Sequence, residues 1–154
     1  MAKLALYSSL IVLWVCANVS GQGVKTNNPT VAPYPHIVRE VQLTGQTSPI
    51  PTTTLFTPKS NGLFRFSGVM VVTTGNQCQD NCTWTTTIGF SPGTGATTQE
   101  WLGANAAVVG GGVTPGTLTV RNNGGQPLTY SVTCSFGDCS GSVYELFMTV
   151  EQIQ

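Results

Sequence analysis

The chain has 154 residues, with 6 basic and 6 acidic side chains and a formal net charge of zero. Charged residues make up 8% of the chain, far below the roughly 25% of an average globular domain. This disfavours both a basic nucleic-acid binder and a charge-rich disordered segment. The 23 Thr, 17 Val, 18 Gly and 9 Pro are typical of strands joined by turns, and the length suits one domain.

Residues 1–21 predict a secretory signal peptide. Lys3 precedes an apolar run over 4–17 that is too short to span a bilayer, and small residues follow it. We expect cleavage after Gly21, with Ala17 as the alternative site. A lipoprotein anchored at Cys16 and an uncleaved N-terminal anchor are the other interpretations. After cleavage the chain is expected to be secreted, extracellular or periplasmic, and not attached to a membrane.

The rest of the chain divides into a Pro-rich extended leader over 22–36 and one β domain over 37–154. Segments with a single apolar face and a period of two predict half-buried antiparallel strands. The predicted strands cover 37–43, 52–57, 63–74, 83–90, 97–102, 117–121, 128–134 and 143–151, while 104–115 fits a strand or a loop. Eight or nine strands without a helix predict an all-β fold, an antiparallel β-sandwich of jelly-roll type.

The inward faces of these strands predict the hydrophobic core. Its members alternate with Thr, Ser or charged residues. They are Phe64, Phe66, Met70, Val72, Trp84, Ile88, Phe90, Leu118, Val120, Tyr130, Val132, Tyr144, Leu146 and Met148.

Four cysteines remain once Cys16 has left with the signal peptide, and an even count in an exported chain predicts two disulfides. We expect the local pairs Cys78–Cys82 and Cys134–Cys139, because each pair brackets a short loop between two strands. Cross-links between the two loops are the alternative. The spacing is wider than in zinc knuckles, which disfavours a zinc site.

The remaining titratable residues do not form a catalytic pattern, so we expect no catalytic residue and no cofactor. His36 lies in the leader, and Glu145 and Glu151 are about 20 Å apart if they share one strand, too far for a glycosidase pair. Asp80 and Asp138, each inside a Cys-bounded loop, are a candidate calcium site. Turn formation explains the same two residues.

Apolar residues outside the predicted core are the candidates for binding. Leu63, Val69 and Phe147 lie on strand faces opposite the core, and Trp101 lies in a weak strand. We expect these residues to contact a ligand or a second subunit, because one sandwich cannot bury both faces of its strands. Cover by a second sheet or by a loop is the alternative for the aromatic residues Trp101 and Phe147. A homo-oligomer, with a trimer favoured, is therefore predicted. The alternatives are a carbohydrate-binding or adhesin-like domain that uses Trp101 and, third, a hydrolytic enzyme.

Several segments resemble those of small secreted β proteins from bacteria and phages. The matching segments are 43–47 (LTGQT), 54–57 (TLFT), 61–67 (NGLFRFS), 69–74 (VMVVTT), 85–90 (TTTIGF) and 144–153 (YELFMTVEQI). This resemblance implies a fold and no activity. The spacing of Gly62, Phe64 and Phe66 is also similar to a strand of the jelly rolls of tumour necrosis factor and the complement globular heads, which implies a trimer.

Overall fold

The computed structural model describes residues 35–76, 78, 82–93, 95–108 and 114–154. The predicted signal peptide, most of the Pro-rich leader and Asp80 lie outside these residues. Within the described ranges, no helix is long and apolar enough to cross a bilayer.

Eight strands follow the alternating segments of the sequence. They are β1 (His36–Gln46), β2 (Ile50–Phe56), β3 (Gly62–Thr74), β4 (Thr83–Phe90), β5 (Thr97–Asn105), β6 (Thr114–Asn122), β7 (Leu128–Ser135) and β8 (Val143–Gln152). The ambiguous segment 104–115 contains the end of β5 and the start of β6. Turns rich in Gly, Pro and Asn end the strands, because these residues adopt the required backbone conformations without strain.

The strands form two four-stranded antiparallel sheets, with the orders β1-β8-β3-β6 and β2-β7-β4-β5. Neighbours within each sheet come from distant parts of the chain, apart from β4 and β5. This order is that of an eight-stranded jelly roll, in which two Greek keys place the first strand beside the last. The predicted all-β, jelly-roll-like sandwich is confirmed.

The core lies between the inner faces of the two sheets. In β8 every second residue is buried, from Tyr144 to Gln152, as expected for a strand with one face inward. All predicted core residues are buried or pack against the core, with Phe90 and Leu118 only partly covered. The prediction of the core is therefore confirmed.

Trp101 is the residue whose orientation differs most from the sequence-based expectation of an exposed aromatic. The register between β4 and β5 shifts by one residue at this position, which forms a bulge. The indole turns toward the core, where its ring centroid lies 5.9 Å from that of Phe66. It covers Gly68 and Gly116, and a β-carbon at Gly116 would lie 2.9 Å from Trp101 Nε1. Trp101 therefore closes one side of the sandwich.

Replacing Phe66 by Ala should lower the free energy of unfolding by about 3–5 kcal/mol, because its fully buried ring would leave a cavity between the sheets. Chemical denaturation measures this loss. Thr117→Ala is the control, since Thr117 is exposed on the outer face of β6. Equal midpoints for Phe66→Ala and the parent would contradict the assignment of the inner face.

Tyr144 should make the fold sensitive to alkaline pH. Its hydroxyl donates to the Ser48 carbonyl at 3.0 Å, and burial, with a smaller contribution from Tyr130, raises its pKa to about 12. An unfolded tyrosine ionises near pH ~10. The free energy of unfolding therefore includes the full contribution of the protonated Tyr144 hydroxyl below about pH 10. This contribution is lost as the pH rises toward about 12.

Denaturation at a series of alkaline pH values tests this dependence. Tyr144→Phe should reduce the slope of the free energy of unfolding against pH. Part of the slope that remains is expected from Tyr130, whose pKa is also raised by burial. Parallel curves for the parent and Tyr144→Phe between pH ~9 and ~12 would show that Tyr144 does not control the effect.

Candidate functional site

An apolar patch lies on the outer face of the β1-β8-β3-β6 sheet. Val69 of β3 is directly opposite Phe147 of β8, Pro115 flanks Val69 on β6, and Gln42 flanks Phe147 on β1. We call Val69, Val71, Pro115 and Phe147 the outer patch. Pro115 is exposed and the other three are half-buried by their neighbours. The structure thus brings together two of the predicted contact residues, Val69 and Phe147.

Leu63 lies on the same face but outside the outer patch. Six residues of β3 separate it from Val69, which corresponds to about 20 Å along the strand. The intervening surface is polar and contains an ion pair between Arg65 and Glu151, with Arg65 Nη2 2.6 Å from Glu151 Oε2. Leu63 and Trp101 therefore do not share one surface with Val69 and Phe147.

A second feature is the segment 134–142, which comprises the last two residues of β7 and the loop to β8 and which we call the tip loop. Phe136 lies near its start and is 79% exposed, the highest value among the large apolar side chains of the described residues. Its φ angle is +63°. This left-handed conformation is uncommon for a residue with a bulky side chain, so the surrounding loop must hold it in place.

Both predicted local disulfides, Cys78–Cys82 and Cys134–Cys139, are present, and they lie at the same end of the sandwich. Gly137 lies between them, with a φ angle of +140°. A β-carbon at Gly137 would lie only 2.6 Å from Cys82 Sγ. Any larger residue at this position would therefore push the tip loop away from the neighbouring disulfide.

Hydrogen bonds hold the rest of the tip loop. Asn76 Nδ2 donates to the carbonyls of Asp138 at 2.8 Å and of Ser140 at 3.1 Å. The Asp138 carboxylate accepts from Ser140 N and Ser140 Oγ, both at 2.8 Å. These bonds, with the backbone N–H contributing most, lower the pKa of Asp138, so this exposed group is negatively charged at neutral pH.

The candidate calcium site remains a prediction. Asp80 lies outside the described residues, and both oxygens of Asp138 already accept hydrogen bonds within the turn. No group of three or more His, Cys, Asp or Glu side chains that could hold a metal occurs within the described ranges.

A chain of hydrogen bonds connects the tip loop to the core. Trp84 Nε1 donates to Ser142 Oγ at 2.8 Å, and Ser142 Oγ donates to the Cys139 carbonyl at 2.6 Å. Trp84 also packs against Tyr144, with ring centroids 4.6 Å apart. The base of the tip loop is therefore as firmly placed as the core itself.

A third feature is a cleft of about 260 Å³ between β1 and β2, which we call the side cleft. Each of these strands is at the edge of its own sheet, so the sandwich is open on this side. Its lining is mixed: Val41, Leu43, Leu55 and Tyr130 contribute apolar atoms, and the other lining residues are Arg39, Glu40, Gln42, Thr53 and Thr54. Arg39 lies at the rim, where its positive charge partly offsets the effect of burial on the pKa of Tyr130.

A fourth feature is a cleft of about 480 Å³ at the end of the sandwich where β2–β3, β4–β5 and β6–β7 are joined. Asn122 organises this end. Its Oδ1 accepts from Ser91 N at 2.7 Å, and its Nδ2 donates to the Gln126 carbonyl at 2.7 Å. The described residues along the wall carry amide, hydroxyl and backbone groups but no aromatic ring for stacking against a sugar. The structure therefore gives no specific support to the carbohydrate-binding alternative.

Sequence reasoning did not identify Phe136 or Arg39 as functional candidates. Phe136 is an aromatic residue within a short, polar, Cys-bounded segment, and that contrast is a signal in the sequence. Arg39 has no such signal in the sequence. The side of β1 on which its side chain lies depends on a register shift between Ile37 and Arg39, which strict alternation does not predict.

Comparisons with known proteins do not assign the chain to a family. No family model and no curated protein match it. It is similar to a solved structure of Eiger TNF from S. frugiperda, with 8% identity and a TM-score of 0.32, over 75% of this chain and 92% of that chain. At this level the match adds nothing to the fold assignment, which rests on strand order. No match supports the resemblance to bacterial and phage-associated proteins.

Replacing Ser142 by Ala should destabilise the protein by about 1–3 kcal/mol, because it leaves the buried indole N–H of Trp84 without its acceptor. Thermal or chemical denaturation measures the loss. Ser140→Ala is the matched control, since Ser140 lies in the same loop but is exposed. Equal losses in the two variants would show that the Trp84–Ser142 hydrogen bond does not secure the loop.

Proposed function

We propose that this chain is an exported, non-enzymatic structural protein that self-associates through the outer patch. The observation that carries the proposal is the pairing of Val69 with Phe147, two apolar side chains directly opposite each other on the outward face of central strands. The inner faces of these strands are already buried in the core, so only another surface can cover the patch.

The surroundings of the outer patch suit a subunit contact. Gln42 and Glu145 border it, which gives an apolar centre with a polar rim, as in many protein interfaces. The low share of charged residues in the chain also weakens the repulsion that keeps most monomers apart. We propose a ring of three copies as the assembly. The resemblance of the Gly62, Phe64 and Phe66 spacing to trimeric jelly rolls implies the same number of subunits.

Two observations support export. Residues 1–21 have the pattern of a signal peptide. The two disulfides are also of the kind that persists in oxidising compartments.

The absence of catalysis is proposed from the placement of the described carboxylates. Glu145 and Glu151 lie on the outer face of β8, six positions or about 20 Å apart along the strand, and Asp138 belongs to a turn. Neither arrangement makes the facing pair that acid–base chemistry on a glycosidic bond requires.

Replacing Phe147 by Lys should convert the oligomer to a single chain at protein concentrations on the order of 1–10 μM, because a buried lysine at the contact loses its hydration. Sedimentation velocity of the purified protein measures the mass. Thr149→Lys is the matched control, since Thr149 lies on the same face of β8, in the neighbouring polar row. This variant should keep the mass of the parent.

The melting temperature of both variants shows whether the fold is retained. A parent protein that sediments as one chain would overturn the proposal. An oligomer that persists in a folded Phe147→Lys variant would also overturn it, because the outer patch would then not be the contact.

A further inference from the structure

We propose a second contact between copies of this chain, in which Phe136 of the tip loop of one copy enters the side cleft of another. This contact goes beyond the proposed function, since it uses neither the outer patch nor its sheet face. It joins two different surfaces, so it is a head-to-tail contact.

The tip loop has the properties of a binding anchor. An aromatic side chain on a rigid loop binds with little loss of conformational entropy, because the cost of ordering is met during folding. Phe136 is held outward by the Cys134–Cys139 disulfide, by Gly137 against Cys82, and by the Asn76 hydrogen bonds.

The side cleft is complementary to the tip loop in size and polarity. Its volume is about 260 Å³, and a cavity of roughly 150 Å³ is already enough to hold a benzene ring. Val41, Leu43, Leu55 and Tyr130 give it apolar atoms that an aromatic ring can contact, and the polar and charged residues of the lining can pair with polar groups of the tip loop.

Charge complementarity supports a second copy as the occupant. Asp138 is two residues from Phe136 and exposed, while the Arg39 guanidinium at the rim of the cleft makes no ion pair or hydrogen bond with a described side chain. Glu40 also lines the cleft, but it pairs with Thr149 in the outward-facing row of β1 and β8. With Phe136 in the cleft, the carboxylate and the guanidinium can pair across the contact. The tip loop itself contains Asp138 and no Lys or Arg, which disfavours insertion into an anionic bilayer.

The contact is small, since one loop enters one cleft, so it should be weak and transient, with a Kd on the order of 10⁻⁴ M or higher. It would form only at protein concentrations well above those at which the outer patch associates. This difference separates the two contacts experimentally.

The test uses Phe147→Lys as the background, so that the outer patch no longer contributes. Amide NMR spectra of the ¹⁵N-labelled protein are recorded over a concentration series into the millimolar range. The tip-loop amides and the side-cleft amides should shift together with concentration. Adding Phe136→Ala should weaken the association by about tenfold or more. Adding Asp138→Asn, which keeps the oxygen that Ser140 N donates to, should weaken it several-fold.

Mixing two defective variants identifies the head-to-tail geometry. Phe136→Ala retains an intact cleft and Arg39→Glu retains an intact tip loop, so each variant alone should associate more weakly than a mixture of the two. Labelled Phe136→Ala mixed with unlabelled Arg39→Glu should show shifts at the cleft and not at the tip loop. Reversing the label should move the shifts to the tip loop.

Val108→Ala is the control for loss of an exposed apolar side chain, since Val108 is 48% exposed and lies outside both surfaces, and it should change nothing. Tip-loop and cleft amides that stay fixed with concentration overturn the proposal. Tip-loop shifts with phosphatidylcholine vesicles but not with a second copy also overturn it and assign the loop to a membrane. Neither result bears on the outer patch, which is judged by sedimentation at low concentration.

Discussion

The contact between Trp84 and Tyr144 connects nearly every feature of this molecule. The two rings come from different sheets and are both buried, so their contact helps to fix the separation of the sheets. From Trp84, hydrogen bonds continue through Ser142 to the base of the tip loop. From Tyr144, a hydrogen bond reaches Ser48 in the connection between β1 and β2, the two strands that border the side cleft. The two surfaces of the proposed head-to-tail contact are therefore held by the same pair of rings.

Much of the fold could be predicted because the strands alternate regularly. In β3 and β8 the large apolar residues recur at every second position, and burial follows the same period. The period fails where a strand gains a residue. At Trp101 and between Ile37 and Arg39 the register shifts, and the side chains that follow point differently from what the alternation predicts.

The surfaces were harder to predict, because they depend on which strands are neighbours and on how the loops are held. Val69 and Phe147 could be assigned to outward faces from the sequence, but only strand order shows that they are adjacent. The same order separates Leu63 from them. The exposure of Phe136 depends on a left-handed backbone angle and on packing against a distant disulfide, and neither is encoded in a local pattern.

The strand order also determines when the fold can form as the chain is synthesised. Among the described strands β1 pairs with β8 alone, from His36 opposite Gln152 to Gln46 opposite Tyr144, so it has no described partner strand until β8 is available. Contacts between residues so far apart in sequence make folding slow. The two disulfides close only short loops and cannot bring these ends together earlier. Until β8 is available, β1 therefore has an unpaired edge, and a factor that shields this strand would promote folding more than faster disulfide formation would.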